Sequence, residues 1–299
     1  MRRSELLPPE LLDGLRDLDW VSRMVARGLD PGLHRSPFAG MGEDFERHRP
    51  YQQGDDLRHL DWRVMARADR LHVRRYRETT HLKAMVVVDA SASMDFAGES
   101  GVSKARFAVL LAASLGHLMH RGGDHPGLGV LDSEGSRLAT PPTGGREGRG
   151  RFLHALEGVV PGGSGSLAPL VARAGGHLRG RGRLMVLSDF LEEDDGEAVM
   201  VAMGQGAAAG HEVTAVRILT PEELGARGGE EGLYLDPEAP SRRIPGAPSR
   251  DREYQRRLEA YYQRLRREAR RKGVAWREAR TDDPLLPLIR RWVRESARP

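Results

Sequence analysis

Asp89, Ser91 and Ser93 stand at i, i+2 and i+4, directly after the apolar run Ala84-Met85-Val86-Val87-Val88. Each offers a hard oxygen. One carboxylate and two hydroxyls suit Mg²⁺, or Mn²⁺, better than zinc. They also leave such an ion short of charge and of ligands, so that it can accept a further carboxylate from another protein. A second apolar run, Leu184-Met185-Val186-Leu187-Ser188, also ends in an acid, Asp189. The competing reading is structural: Asp89 closes a turn and the serines begin a helix. His117, His120 and His125 are a conceivable zinc cluster, but nothing in their spacing fixes a tetrahedral geometry.

The elements that must position these residues follow from the pattern. Val-rich runs of strand length, apolar at every position, suit strands buried on both faces of a parallel sheet. Lys104 to His120 reads as a helix after the first strand, its start at Ser103, with Phe107, Leu111, Leu115 and Leu118 on one face. Gly127 to Leu131 reads as the next strand, and Ser136 to Thr140 as its hairpin partner. Gly144 to Gly150 reads as a Gly/Arg-rich loop before a short helix from Arg151 to Val160. Asp194-Asp195 caps a helix from Glu197 to Ala209, and His211 to Leu219 is another strand. Strand, helix, strand, helix predicts an α/β fold with a doubly wound, mostly parallel sheet. In such sheets ligands sit beyond the carboxyl ends of the strands, where Asp89 and Asp189 emerge.

Outside that core, Pro9 to Arg27 reads as a packing helix, with Leu11, Leu15, Leu18, Val21 and Val25 at helical spacing. Asp251 to Lys272 reads as a long helix, followed by a strand at Val274 to Glu278 and a final helix at Leu285 to Val293. Arg250 to Lys272 holds ten basic and four acidic residues, which raises nucleic-acid binding. Its tyrosines lie on the apolar stripe, however, and the interspersed glutamates dilute the field, which favours a solvated basic face.

Composition narrows the classes further. The 299 residues are 39% hydrophobic and 30% charged, which suits a globular chain rather than a disordered one. There is no cysteine. Disulfides, thiolate zinc and thiol catalysis are excluded, and a reducing cytoplasm is the expected location. No apolar signal region follows Met1, and no stretch is long and apolar enough to span a bilayer. No Gly-rich loop ends in Gly-Lys-Ser/Thr, so a nucleotide used in the same process is hydrolysed by another protein. Only three of the 47 basic residues are lysine: Lys83, Lys104 and Lys272.

Phe45 to Tyr76 carries a second pattern. Asp55, Asp56 and Asp61 alternate with Arg58, Arg63 and Arg67. Gly54 suits a tight turn, and the carboxylates can accept arginine forks, which reads as a structural ion-pair network. The combination Arg49-Pro50-Tyr51-x-x-Gly54-Asp55-Asp56-x-Arg58-x-x-Asp61-Trp62-x-x-x-Ala66-Arg67, then Asp89-x-Ser91-x-Ser93-Met94, strongly resembles the DUF58 family. The resemblance runs from about Gly32 to about Trp292. It implies a fold similar to von Willebrand factor A (vWA) domains, and a bacterial or archaeal source. It also implies a link to a MoxR-type AAA+ ATPase, for which this chain would be an adaptor or co-chaperone. The metal motif looks like the metal-ion-dependent adhesion site of vWA domains, with Asp189 in the place of an acid that orients the ligands through water. In that pattern a threonine completes the site, yet here Gly165 falls at its position. The site is therefore degenerate, unless Ser164 or Ser166 supplies the hydroxyl.

Three segments are expected: 1–82, an N-terminal helix with the DUF58 motif; 83–220, the vWA-like domain; and 221–299, a C-terminal region packing on it. The expected function is a non-enzymatic protein-binding module. Its metal ligands are Asp89, Ser91, Ser93 and Asp189, its ion is Mg²⁺ or Mn²⁺, and its partner supplies an acidic residue. The alternatives are a Mg²⁺- or Mn²⁺-dependent hydrolase, and nucleic-acid binding through the basic helix.

Overall fold

The computed structural model describes residues 18–28, 44–51, 72–77, 81–98, 100–192, 194, 196–224, 232–235, 243–246 and 252–296. The ion-pair motif Asp55, Asp56, Arg58, Asp61 and Arg67 lies outside the described residues. So does the proposed helix N-terminal to Leu18.

The apolar run becomes strand β3 (Lys83–Asp89), buried from Ala84 to Asp89. Helix α2 follows (Lys104–Arg121), with the Ser103 hydroxyl accepting the Arg106 amide as N-cap. Strand β4 (His125–Asp132) pairs parallel with β3, and β5 (Gly135–Thr140) turns back antiparallel as a hairpin edge. Helices α3 (Gly145–Glu157) and α4 (Ala168–Gly176) lead to β6 (Arg183–Ser188), which lies on the other side of β3. Helix α5 (Glu197–Ala208), β7 (Glu212–Leu219), α6 (Arg252–Arg271), β10 (Ala275–Arg280) and α7 (Leu285–Ser296) complete the main body. Helix α1 (Leu18–Gly28) precedes it. Two small antiparallel pairs, β1 (Asp44–Pro50) with β2 (His72–Arg77) and β8 (Gly232–Leu235) with β9 (Arg243–Gly246), form separate sheets.

The main sheet runs β10-β7-β6-β3-β4-β5, parallel except for β5. The α/β doubly wound class expected from the strand–helix alternation is the one observed. The chain winds outward from β3 in one direction, then returns to the other side at β6. The switch point therefore falls between β3 and β6, where open sheets place their crevice.

Side chains divide by the two-residue period of a strand. Val86 and Val88 face a core built with α1, α2, α3 and α7, including Phe107, Phe152 and Trp292. Met85 and Val87 face the other core, built with α4, α5 and α6. Burying each of these side chains stabilises the fold by roughly 1.5–3 kcal/mol, and β3 is held from both faces at once.

Two expectations needed revision. The stretch from Gly144 to Gly150 is not a loop: α3 starts at Gly145 and ends at Glu157. Its glycines cost about 1 kcal/mol each relative to alanine, but Phe152, Leu153 and Leu156 are buried along one stripe and outweigh that. Gly116 on α2 makes room for them, since a methyl there would lie 2.3 Å from the Phe152 ring. The strand near Val274 is the sixth strand of the sheet, parallel to β7, so the sheet continues beyond residue 220.

The amino ends of the strands are tied by charge. Arg183 donates to Asp124 Oδ2 at 2.5 Å and to Glu212 Oε2 at 2.8 Å, while the Leu82 amide reaches Asp124 Oδ1 at 3.2 Å. Asp124 and Arg183 are both buried. Arg183→Ala removes the guanidinium that pairs with the buried Asp124, and is expected to cost about 3–5 kcal/mol in urea unfolding. A loss under 1 kcal/mol would show that water replaces the guanidinium.

Candidate functional site

Because Val88 pairs with Leu187 in parallel register, Asp89 comes level with Ser188, one residue before the second acid. Ser188 Oγ donates to Asp89 Oδ2 at 2.5 Å. The Ser91 amide donates to Asp89 Oδ1 at 3.0 Å, closing a tight turn off the strand. That turn brings the Ser91 and Ser93 hydroxyls within 3.2 Å of each other. The expected trio is thus assembled at the carboxyl end of β3.

Asp189 lies beside it but is already paired. Lys104, the first residue of α2, donates from Nζ to Asp189 Oδ2 at 2.6 Å and to Glu223 Oε1 at 3.1 Å. Its side chain is only 3% exposed. Two carboxylates hold this ammonium well above its ordinary range, against the pull of burial. Asp189 Oδ1 takes the Leu191 amide at 3.0 Å. One cation therefore serves two acids, and Asp89 is bonded by neutral groups. Burial first, and the neighbouring Asp189 charge second, raise the Asp89 carboxyl to about 6. The two acids are close enough to feel each other.

The next residue carries strain. Phe190 has φ 58°, the left-handed region that bulky residues avoid, at a cost on the order of 1–3 kcal/mol. Helix α6 holds it there. Tyr261 donates to the Phe190 carbonyl at 2.5 Å and Tyr262 to the Asp189 carbonyl at 2.9 Å. Tyr262 is buried, with the Arg217 guanidinium 3.2 Å over its ring. These two tyrosines of the basic helix turn inward and clamp the site's backbone.

The loop from Pro161 to Leu167 runs alongside. The Gly162 amide donates to the Ala90 carbonyl and the Ala92 amide to the Gly163 carbonyl, both at 2.9 Å. Ser164 and Ser166 are exposed. Ser166 Oγ accepts the Ala168 amide at 3.2 Å, and Glu192 accepts the Leu167 amide at 3.1 Å. Burial raises the Glu192 carboxyl above its usual range. The loop stands where a third hydroxyl is needed, but Ser166 is engaged with its own helix start.

The donors present fit a hard divalent cation. Among the described residues the buried Asp89 carboxylate has no positive partner, and two hydroxyls converge next to it. Among the described residues no group of three or more His, Cys, Asp or Glu side chains is arranged to hold a metal. Serine oxygens and water would have to complete the shell of an ion held here, a donor set that suits Mg²⁺. The three histidines do not converge on a common point of ligation. His117 meets Ser22 Oγ at 3.3 Å, His120 packs edge-on to Phe152, and His125 stacks on His81.

Ser188, Lys104, Glu223, Tyr261 and Tyr262 were not singled out as site residues by sequence reasoning. The signal for Lys104 was its rarity: lysine survives at three positions in a chain that otherwise uses arginine.

The comparisons with known proteins agree with the motif. The family model described as "Protein of unknown function DUF58" matches residues 47–238. Uncharacterized proteins of Mycobacterium bovis and of two strains of Mycobacterium tuberculosis are each 32% identical over 228 residues, covering 75% of this chain and 70% of the relative. Among solved structures, the crystal structure of the SpRpn10 VWA domain aligns with a TM-score of 0.42 and 12% identity, over 71% of this chain and 95% of that one.

A carboxyl raised on folding destabilises the native state above its folded pKa, and the penalty fades as pH falls through about 6 towards the ordinary carboxylate range. Asp89→Asn keeps the shape and removes the charge. In metal-free buffer it should unfold at higher urea than the parent at pH 8, by roughly 2–3 kcal/mol, and the gap should close by pH 4.5. An equal gap at both pH values would contradict the buried-charge account. Lys104→Met should cost about 3–5 kcal/mol, and adding Asp189→Asn should recover part of it. No recovery would mean the ammonium acts through Glu223 alone.

Proposed function

We propose that this chain, which belongs to the DUF58 family, is a non-enzymatic protein-binding adaptor that docks its partner on the carboxyl edge of the main sheet. Asp89, Ser91 and Ser93 hold Mg²⁺, or Mn²⁺, there, with Asp189 positioned beside them by Lys104. Bound there, the ion would supply positive charge and an open coordination position to an acidic side chain of the partner.

One observation carries this reading. Among the described residues six large apolar side chains are exposed, and four of them lie at that edge: Phe96, Val160 and Leu191 on loops, and Leu224 at the end of a 3₁₀ turn (Pro221–Leu224). Phe96 follows the Ser93 turn, and Leu191 follows Asp189. Val160 precedes the Gly-rich loop and accepts the Ser133 amide at the end of β4. Leu224 follows Glu223. Exposed apolar side chains gathered around one polar centre mark an interaction surface. The family resemblance makes a MoxR-type AAA+ ATPase, or a client that it remodels, the expected partner.

The inward tyrosines of α6 weigh against nucleic-acid binding, since they are unavailable for stacking on bases. No helix among the described residues is long and apolar enough to cross a membrane.

Capture of a purified MoxR-type ATPase from the same genome tests the reading, with Mg²⁺ or with EDTA. Asp89→Ala should keep the parent's circular dichroism and capture at least tenfold less ATPase, and EDTA should have the same effect on the parent. Undiminished capture by Asp89→Ala would refute the metal mechanism. Turnover of phosphoester or peptide substrates with Mg²⁺ or Mn²⁺ would favour a hydrolase instead.

A further inference from the structure

The opposite edge of the sheet holds a second concavity. Helix α2 ends there and α3 begins there. A cavity of about 480 Å³ lies between them, lined by His117, His120, Arg121, Gly145, Arg146 and Arg149. Three arginines and two histidines meet in it, and no carboxylate is among the described lining residues. Asp19 Oδ1 of α1 lies 3.8 Å from Arg149, and Glu147 in the first turn of α3 lies 3.7 Å from Arg151.

We propose that this cavity is an anion site for a phosphoryl group, either inorganic phosphate or the phosphate of a small metabolite. Helix α3 opens into it with Gly144 as N-cap, which has no side chain to accept an amide of the first turn. Those amides and the positive end of the helix dipole favour an anion. The carbonyls at the end of α2, which would repel one, are taken by the amides of Gly122, Gly123 and Asp124. His120 Nε2 is buried and has no hydrogen-bond partner among the described residues. Burial, with help from Arg149, His125 and His117, lowers the His120 imidazole to about 4, and burial with Arg149 lowers His117. Both rings are thus kept neutral beside arginines, and an entering anion would satisfy the orphan nitrogen. Guanidinium forks match phosphate oxygens in pairs. The volume suits a small ligand rather than a polymer.

This site is independent of the Asp89 reading, so the two fail separately. The test titrates the full chain at low chloride with inorganic phosphate, pyrophosphate and magnesium-free ATP, in separate arms, followed by NMR. Shifts should concentrate on the Gly145, Arg146 and Arg149 amides and on the His117 and His120 rings, and the His120 pKa should rise on saturation. Preference for phosphate or pyrophosphate identifies a free anion, whereas preference for ATP identifies a phosphorylated metabolite. R146Q/R149Q should weaken binding at least tenfold, while R290Q/R294Q on α7 and D89A should bind as the parent does. If R149Q perturbs the fold through Asp19, R146Q alone, at an exposed position, should still weaken binding severalfold. Shifts spread over all basic surfaces, equal loss in R290Q/R294Q, or no shift in the parent would overturn the proposal.

Discussion

Two acids and too little positive charge set the terms at the carboxyl edge of this sheet. β3 and β6 are adjacent, parallel and buried on both faces, so their ends cannot diverge. Asp89 and Asp189 are delivered to one place, and Lys104 neutralises only the second. Among the described residues the other carboxylate is bonded by neutral groups, the Ser188 hydroxyl and the Ser91 amide and side chain. A buried charge in that state takes a proton or draws in a cation. Carrying such an imbalance lowers stability, and strained or charge-deficient sites of this kind are where folds trade stability for function.

The surroundings are built to hold the imbalance in place. Lys104 sits at the positive end of α2, an unfavourable place for an ammonium, and the two carboxylates beyond the helix outweigh that. Phe190 is strained, and two tyrosine hydroxyls from α6 fix the carbonyls of the two peptides that flank it, those of Asp189 and Phe190. Asp189 consequently has little freedom to swing away from Asp89. The basic helix therefore serves the site from behind, through its buried face, while its arginines face outward.

Much of this was legible in the residue order. The Val-rich runs identified the two central strands because no other element buries every position over that length. Asp89, Ser91 and Ser93 were legible because alternate residues leaving a strand end share one side. Lys104 was not, since a lysine opening a helix reads as a solvated surface residue. Ser188 was hidden by its neighbour: register, which is set by pairing across the sheet, puts the serine rather than Asp189 level with Asp89. Helix α3 was obscured by glycines whose cost is repaid only by tertiary packing of Phe152 against Gly116. The strand at β10 was visible locally, but its place in the sheet depends on contacts far apart in sequence.

The ionisation of Asp89 is the most direct gauge of this account. Carboxyl ¹³C shifts of Asp89 can be followed against pH in EDTA and again in saturating Mg²⁺. The account predicts a midpoint near pH 6 in EDTA, and a carboxylate that stays ionised well below that pH with Mg²⁺. An ordinary carboxylate midpoint in both buffers would mean that the imbalance at the sheet edge does not exist.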